Sequence, residues 1–313
     1  MTRAFVFPGQ GSQAVGMGAG LAEAFAPARE VFEEVDEALK QNLFRLMIEG
    51  PTEELTLTEN AQPALMAVSL ASLRVLEHEG DLTLSDKACF VAGHSLGEYS
   101  ALAAAETFGV ATASRLLKRR GQAMQDAVAP GVGAMAAVMG LGHEAVEEVA
   151  AEAAQGQVCS AANDNAPGQV VISGHTEAVN RAIEIARGRG GCRSVLLSVS
   201  APFHCALMAP AADVMEAALE ATDLAPPALP LIANVTAAPV ESPAEIRRLL
   251  VSQVVGRVRW RESVLAMREA GVETLVELGV GKVLSGLAHR IDRDLKGLPC
   301  GTPGEVEIVL GQL

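Results

Sequence analysis

Ala88-Cys-Phe-Val-Ala-Gly-His-Ser-Leu-Gly-Glu-Tyr-Ser-Ala-Leu-Ala-Ala-Ala105 begins as an apolar strand, turns through Gly93-x-Ser95-x-Gly97 and leaves as a helix. Strand, tight turn and helix in that order form a nucleophile elbow. Such a turn holds one side chain strained and exposed, and glycines two before and two after it remove the Cβ atoms that would collide. Ser95 is therefore the candidate covalent catalyst. A bare GxSxG carries little weight in a chain with 30 glycines, so the flanking strand and helix carry the reading. A Gly-rich βα turn with an idle serine is the alternative on this segment alone.

Outward from the elbow, short apolar runs alternate with helical stretches, the pattern of an α/β protein with a mostly parallel sheet. Strands are predicted at 4–7, 89–92, 229–235 and 274–278, and helices at 19–39, 63–79 and 260–269, the second opened by Pro63. The block 133–199 has a different order: strand 134–139, helix 143–154, strand 157–161, strand 169–173, helix 176–187, strand 194–199. That is βαββαβ, the ferredoxin-like order. It predicts a small subdomain at 131–199 inserted into a larger one made of 1–130 and 200–313, with the ligand cleft between them.

Composition narrows the function classes. With 313 residues, 50% hydrophobic, the chain can bury a full core. Its formal charge of −14 argues against nucleic acid or an anionic membrane as partner, so an anionic ligand needs a local cluster of cations. No run approaches the ~18 apolar residues of a membrane span and the start does not read as a signal peptide, which predicts a cytoplasmic protein. The five cysteines (Cys89, Cys159, Cys192, Cys205, Cys300) are scattered without CxxC spacing, so neither a disulfide framework nor a metal site is expected.

A serine hydroxyl needs a neighbouring base, and histidine is the usual one at neutral pH. His78, His143, His175 and His289 sit in polar segments and read as solvated. His94 adjoins Ser95, but neighbours at a sharp turn point apart, so it is expected to orient the elbow. His204 remains, on the proline-stiffened loop after the βαββαβ block; a loop histidine held by backbone is its alternative. A Cys205–His204 pair has poor geometry because the two are adjacent. Asp126 and Asp164 lie between Ser95 and His204, yet both sit among turn formers and read as solvated, so a dyad oriented by a backbone carbonyl or amide stands beside a triad.

Arg120 is the cation in an unexpected place. On the helix 114–128, Leu116, Leu117, Met124, Ala127 and Val128 form one apolar stripe, and Arg120 falls in its middle. Either its stem snorkels along the apolar surface, or its guanidinium holds a carboxylate or phosphate; if no protein acid fills that role, the substrate does. The turn Phe7-Pro-Gly-Gln-Gly-Ser-Gln lacks the phosphate-loop lysine and the dinucleotide glycine spacing. Its better use is a backbone N–H aimed into the cleft: Gln10 with Leu96 is the expected oxyanion hole.

Seven motifs in order, namely Phe7-Pro-Gly-Gln-Gly-Ser-Gln, Gln62-Pro-Ala-Leu, Gly93-His-Ser-Leu-Gly-Glu, Arg120-Gly-x-x-Met-Gln, Pro167-Gly-Gln-Val-Val-Ile-Ser-Gly, Pro202-Phe-His-Cys-Ala-Leu-Met and Gly279-Val-Gly-Lys-Val-Leu, carry a resemblance over nearly the whole chain. The chain resembles the malonyl-CoA:acyl carrier protein transacylases of type II fatty acid synthesis. The resemblance implies an α/β-hydrolase-like large subdomain with a ferredoxin-like small one, and Ser95 taking malonyl from coenzyme A with His204 as base and acid. It further implies oxyanion donors at Gln10 and Leu96, Arg120 on the malonyl carboxylate, and the Gln253 backbone carbonyl orienting His204. Malonyl-CoA and acyl carrier protein would be the partners, with no cofactor or metal beyond the thioester substrate. Two positions depart from the pattern: Val280 stands where proline is frequent, and Phe203 stands where a small residue is common, which implies poor fit for branched acyl groups. The acidic carrier would need a basic patch, expected at Lys118, Arg119, Arg181, Arg187, Arg189 and Arg193. A serine esterase or thioesterase, the malonyl transferase of a malonate decarboxylase and a non-catalytic scaffold are the rival readings.

Overall fold

The computed structural model describes residues 2–189 and 193–313; Cys192 lies outside them. Its strands are β1 (Arg3–Phe7), β2 (Phe90–Gly93), β3 (Gly133–Met139), β4 (Cys159–Ala166), β5 (Gln169–His175), β6 (Arg193–Leu196), β7 (Leu231–Ala233), β8 (Ala238–Val240), β9 (Thr274–Leu278) and β10 (Lys296–Cys300). One sheet has the order β10-β9-β1-β2-β7-β8, parallel except for β8. Its central strands β1 and β9 are largely apolar, with Glu277 the buried charged exception, and are buried on both faces, as a sheet covered by crossover helices requires. The register pairs Phe7 with Gly93, so the turn after β1 and the elbow after β2 emerge side by side at the carboxyl end of the sheet. In open α/β sheets that is where ligands bind.

The second sheet has the order β4-β5-β3-β6, antiparallel throughout, with helices His143–Ala154 and Thr176–Gly188 packed on one core cluster with it. This is the βαββαβ arrangement read from the sequence, within the α/β fold expected.

Several boundaries shift by a few residues, and three of the differences have a clear physical reason. The helix expected over 19–39 is two, Ala19–Ala24 and Ala26–Leu39, because Phe25 is extended (φ −130°, ψ 126°) and Pro27 starts the second. Pro63 does not open its helix, which runs Thr58–Gly80. The added first turn is held by packing: a Cβ on Gly121 would lie 2.5 Å from Glu59 Cα, so the two helix backbones touch there. Strand β4 continues through Asn163-Asp164-Asn165, residues that read as a turn, because Val258, Arg261 and His94, all outside the smaller sheet, hold them. Asp164, expected in solvent, is 1% exposed and paired with Arg261 at 2.8 Å.

Candidate active site

Ser95 has φ 54°, a left-handed conformation that costs a non-glycine residue energy and is found where function needs it. The flanking glycines permit the bend. A Cβ on Gly93 would sit 1.8 Å from the carbonyl carbon of Gly97, and one on Gly97 would sit 2.2 Å from Phe7 O. Asn234, just past β7, braces the turn from below: its Oδ1 accepts the Ser95 N–H at 2.8 Å and its Nδ2 donates to Gly93 O at 2.7 Å.

His204, also left-handed at φ 59°, brings its Nε2 to 2.7 Å from Ser95 Oγ. Its Nδ1–H donates to the Gln253 carbonyl at 2.8 Å, which leaves the Nε2 lone pair facing the serine. Burial pushes the imidazole down to about 3, helped by the Arg120 charge and opposed by the Gln253 carbonyl. The base is therefore neutral and ready at physiological pH. Among the described residues no acid is hydrogen-bonded to the His204 ring; Asp126 ends the helix Val110–Asp126 and Asp164 is engaged by Arg261. The dyad oriented by a backbone carbonyl is the arrangement present.

Arg120 is 1% exposed, so its stem does not snorkel to water. Nη1 donates to Gln62 Oε1 at 2.9 Å, and Nη2 donates to Gln253 Oε1 at 2.8 Å and to Ser95 Oγ at 3.2 Å. Its carbon Cζ lies 5.7 Å from the centre of the Tyr99 ring. Nε–H has no acceptor among the described residues. A buried guanidinium with neutral partners and one orphaned donor is a built receptor for an anion. Burial lowers its pKa, against the pull of Tyr99 and Glu98.

Gln10, Gln62, Ser95, Leu96, Arg120, Phe203 and His204 line one cleft of about 190 Å³, closed on the other side by Asn163, Val171 and Leu197 of the smaller sheet and its exit. The N–H groups of Gln10 and Leu96 have no acceptor among the described residues, as an oxyanion hole requires. The geometry is that of acyl transfer to a serine.

Residues 4–296 match the profile described as the acyl transferase domain. The chain belongs to the acyl transferase family. This acyl transferase is 43% identical over 311 residues to a malonyl CoA-acyl carrier protein transacylase of Bacillus subtilis strain 168, covering 99% of this chain and 96% of that protein. A solved acyl-carrier-protein S-malonyltransferase from Bartonella henselae is 55% identical, covering 99% of this chain and 100% of that one, with a TM-score of 0.96. A malonyl-transacylase solved in complex with its type II polyketide acyl carrier protein is 42% identical, with full coverage of both chains and a TM-score of 0.97.

In the acyl transferase, the seven residues singled out by sequence all come together, with Gln253 contributing its side chain as well as its carbonyl. Three others carry no role from sequence alone, and one of them, Asn234, is not singled out there at all. Glu98, 2% exposed, accepts the Asn234 N–H at 2.7 Å and receives the Gln253 amide on its other oxygen. Burial raises its carboxyl above the usual range, to about 8, opposed by those donors and by Arg120. Gln62 holds Arg120, and Asn234 braces the elbow. The motif Gln62-Pro-Ala-Leu flagged the first, and the glutamate of the elbow motif flagged Glu98 without a role. His94 does orient the turn, with its main-chain N–H on Phe7 O at 2.9 Å and Nε2 on Asn165 Oδ1 at 2.9 Å. His143, expected in solvent, is buried instead against Arg257 and Glu147, and His175 Nδ1 accepts the Val158 N–H. Cys205 Sγ donates to Pro202 O at 3.1 Å.

Several cations expected to receive the carrier are already engaged. Lys118 pairs with Glu59, Arg187 with Glu184, and Arg189 with Glu148 and Glu152, while Arg181 donates to the carbonyls of Ala153 and Ala154. Among the described residues no group of three His, Cys, Asp or Glu side chains has the arrangement of a metal site, and no helix is long and apolar enough to cross a membrane.

Proposed function

We propose that this acyl transferase moves malonyl from coenzyme A to the phosphopantetheine thiol of acyl carrier protein through a malonyl-Ser95 ester, as the cytoplasmic malonyl-loading step of fatty acid synthesis. The observation that carries it is Arg120, a fully buried cation 3.2 Å from the nucleophile whose side-chain partners are neutral. A neutral acyl group would leave that charge unmet; a malonyl carboxylate meets it. An esterase of neutral esters has no use for such a residue.

The reaction follows from the atoms in place. His204 Nε2 takes the proton of Ser95 Oγ as that oxygen attacks the thioester carbonyl. The carbonyl oxygen becomes an oxyanion between the N–H groups of Gln10 and Leu96. Collapse breaks the C–S bond, and the thiolate leaves with the proton from His204. The carrier thiol then enters, gives its proton to His204, attacks the ester, and the proton returns to Ser95 Oγ. Phe203 beside the base restricts room for a branched acyl chain. We take 1–130 and 200–313 as the subdomain that holds the acyl group and 131–199 as the one that closes the cleft. No cofactor beyond the thioester is needed for these steps.

Incubation with malonyl-CoA followed by intact mass measurement tests the reading. A single malonyl adduct is expected, absent in Ser95→Ala and discharged by carrier protein. Release of free malonate without an adduct would assign a hydrolase instead.

A further inference from the structure

We propose that Glu98 is a positioning residue: its carboxylate fixes which end of the Gln253 amide faces Arg120, and so sets the preference of Ser95 for acyl groups that end in a carboxylate. The inference rests on the reading that Arg120 holds the malonyl carboxylate.

The wiring is short and asymmetric. Glu98 accepts at both oxygens, from the Asn234 main-chain N–H on one and from Gln253 Nε2 on the other. Gln253 Nε2 also donates to Ser95 O at 2.9 Å, and both of these acceptors lie on the elbow side. With the NH2 end of the amide anchored there, the Oε1 end must face Arg120 Nη2, where it accepts at 2.8 Å. An amide can be turned over at almost no cost in shape, so only its partners decide its direction. Glu98 is the partner on the elbow side: its two oxygens accept from Asn234 and Gln253, and above a pH of about 8, where the carboxyl is ionised, it has no proton to donate. Its burial at 2% exposure leaves water no part in the choice.

Glu98→Gln keeps the shape and introduces one donor NH2. Facing Gln253, that NH2 opposes another NH2, and relief comes from turning Gln253 over. The turned amide then sets a donor against the Arg120 guanidinium, which must swing away from the malonyl site. The sign of the effect separates this from simple electrostatics. If Glu98 acted only as a negative charge near Arg120, removing it would strengthen malonate recognition.

The experiment measures, at about pH 9 where Glu98 is ionised, kcat/KM for Ser95 acylation by malonyl-CoA and by acetyl-CoA in wild type, Glu98→Gln, Gln253→Met, the double variant and Arg120→Ala. The malonyl-to-acetyl ratio is expected to fall about tenfold or more in Glu98→Gln, chiefly through a raised KM for malonyl-CoA. Gln253→Met keeps the carbonyl that orients His204 and is expected to lower the ratio similarly, with no further loss in the double variant. A ratio that rises or is unchanged in Glu98→Gln, or equal losses on both substrates, overturns the proposal. Should Glu98→Gln not fold, an unchanged ratio in Gln253→Met overturns it independently. If Arg120→Ala itself leaves the ratio intact, it is the carboxylate reading that fails; if only Arg120→Ala lowers it, the role of Glu98 alone falls.

Discussion

A histidine that is to take a proton from serine must not already hold one, and His204 meets that condition by exclusion from water rather than by an acid partner. Because burial drives its pKa from 6.5 down to about 3, the base form persists far below neutrality. The rate of Ser95 acylation by malonyl-CoA is therefore expected to stay level from about pH 7 to about 5, below the titration of Glu98, without the usual histidine limb. A stopped-flow pH series checks this; a midpoint near 6.5 would contradict it. The sign for stability follows from the same shift. Below pH 6.5 the unfolded chain binds a proton that the native imidazole refuses, so this residue makes stability fall as pH drops toward 3, by at most ~1.4 kcal/mol per pH unit. His204→Leu should show a shallower decline of urea-unfolding free energy over that window. Asn234 acts at the same scale. Asn234→Ala strips partners from the Ser95 N–H and Gly93 C=O, and is expected to cost about 2 kcal/mol along with a slower acylation. Ser95, His204 and Arg120 were legible because each is chemically odd for its local setting. Asn234 and Glu98 were not, since they answer each other across 136 positions and local spacing carries no trace of such a pairing.

Elements reach this site by close backbone approach. The helix Gly97–Ala104 begins so near β1 that Gly97 has no room for a methyl group beside Phe7 O. Gly97→Ala is expected to destabilise the protein by about 2–3 kcal/mol or more, read from its urea midpoint, because the obstructing atom is backbone and cannot rotate aside. Strand, turn and helix were readable here because the glycine spacing and the apolar strand are local signals. Two of the boundary differences, at Pro63 and at β4, have a common cause. Pro63 looked like a helix start by its own preference, but the contact at Gly121 adds a turn ahead of it. Asn163-Asp164-Asn165 looked like a turn, but Arg261, Val258 and His94 hold it as strand. In both, a distant partner overrode a local propensity.

At the scale of the molecule, β4 of the smaller sheet is tied to residues 258–261, at the start of the helix Trp260–Glu269, by a seam of main-chain and ionic contacts. Val258 N–H donates to Ala162 O at 2.8 Å, Asp164 N–H donates to Val258 O at 2.9 Å, and Arg261 closes on the Asp164 carboxylate. Arg261→Ala would strand a carboxylate that is 1% exposed. The expected loss is about 2 kcal/mol by urea unfolding, less than for a fully buried pair because Arg261 keeps a quarter of its side chain in water. The order of elements announced that there would be two sheets, whereas the contacts that join them involve single residues on separate strands and helices and left no pattern to read. Arg120 extends the argument to the catalytic cycle. With only neutral groups hydrogen-bonded to its side chain, Arg120 of the free enzyme lacks a directly paired anion, and each turnover first delivers one and then removes it with the product. Resistance to heat should therefore rise on loading and fall on discharge, so that the enzyme waiting with its cargo is sturdier than the one that has just delivered it.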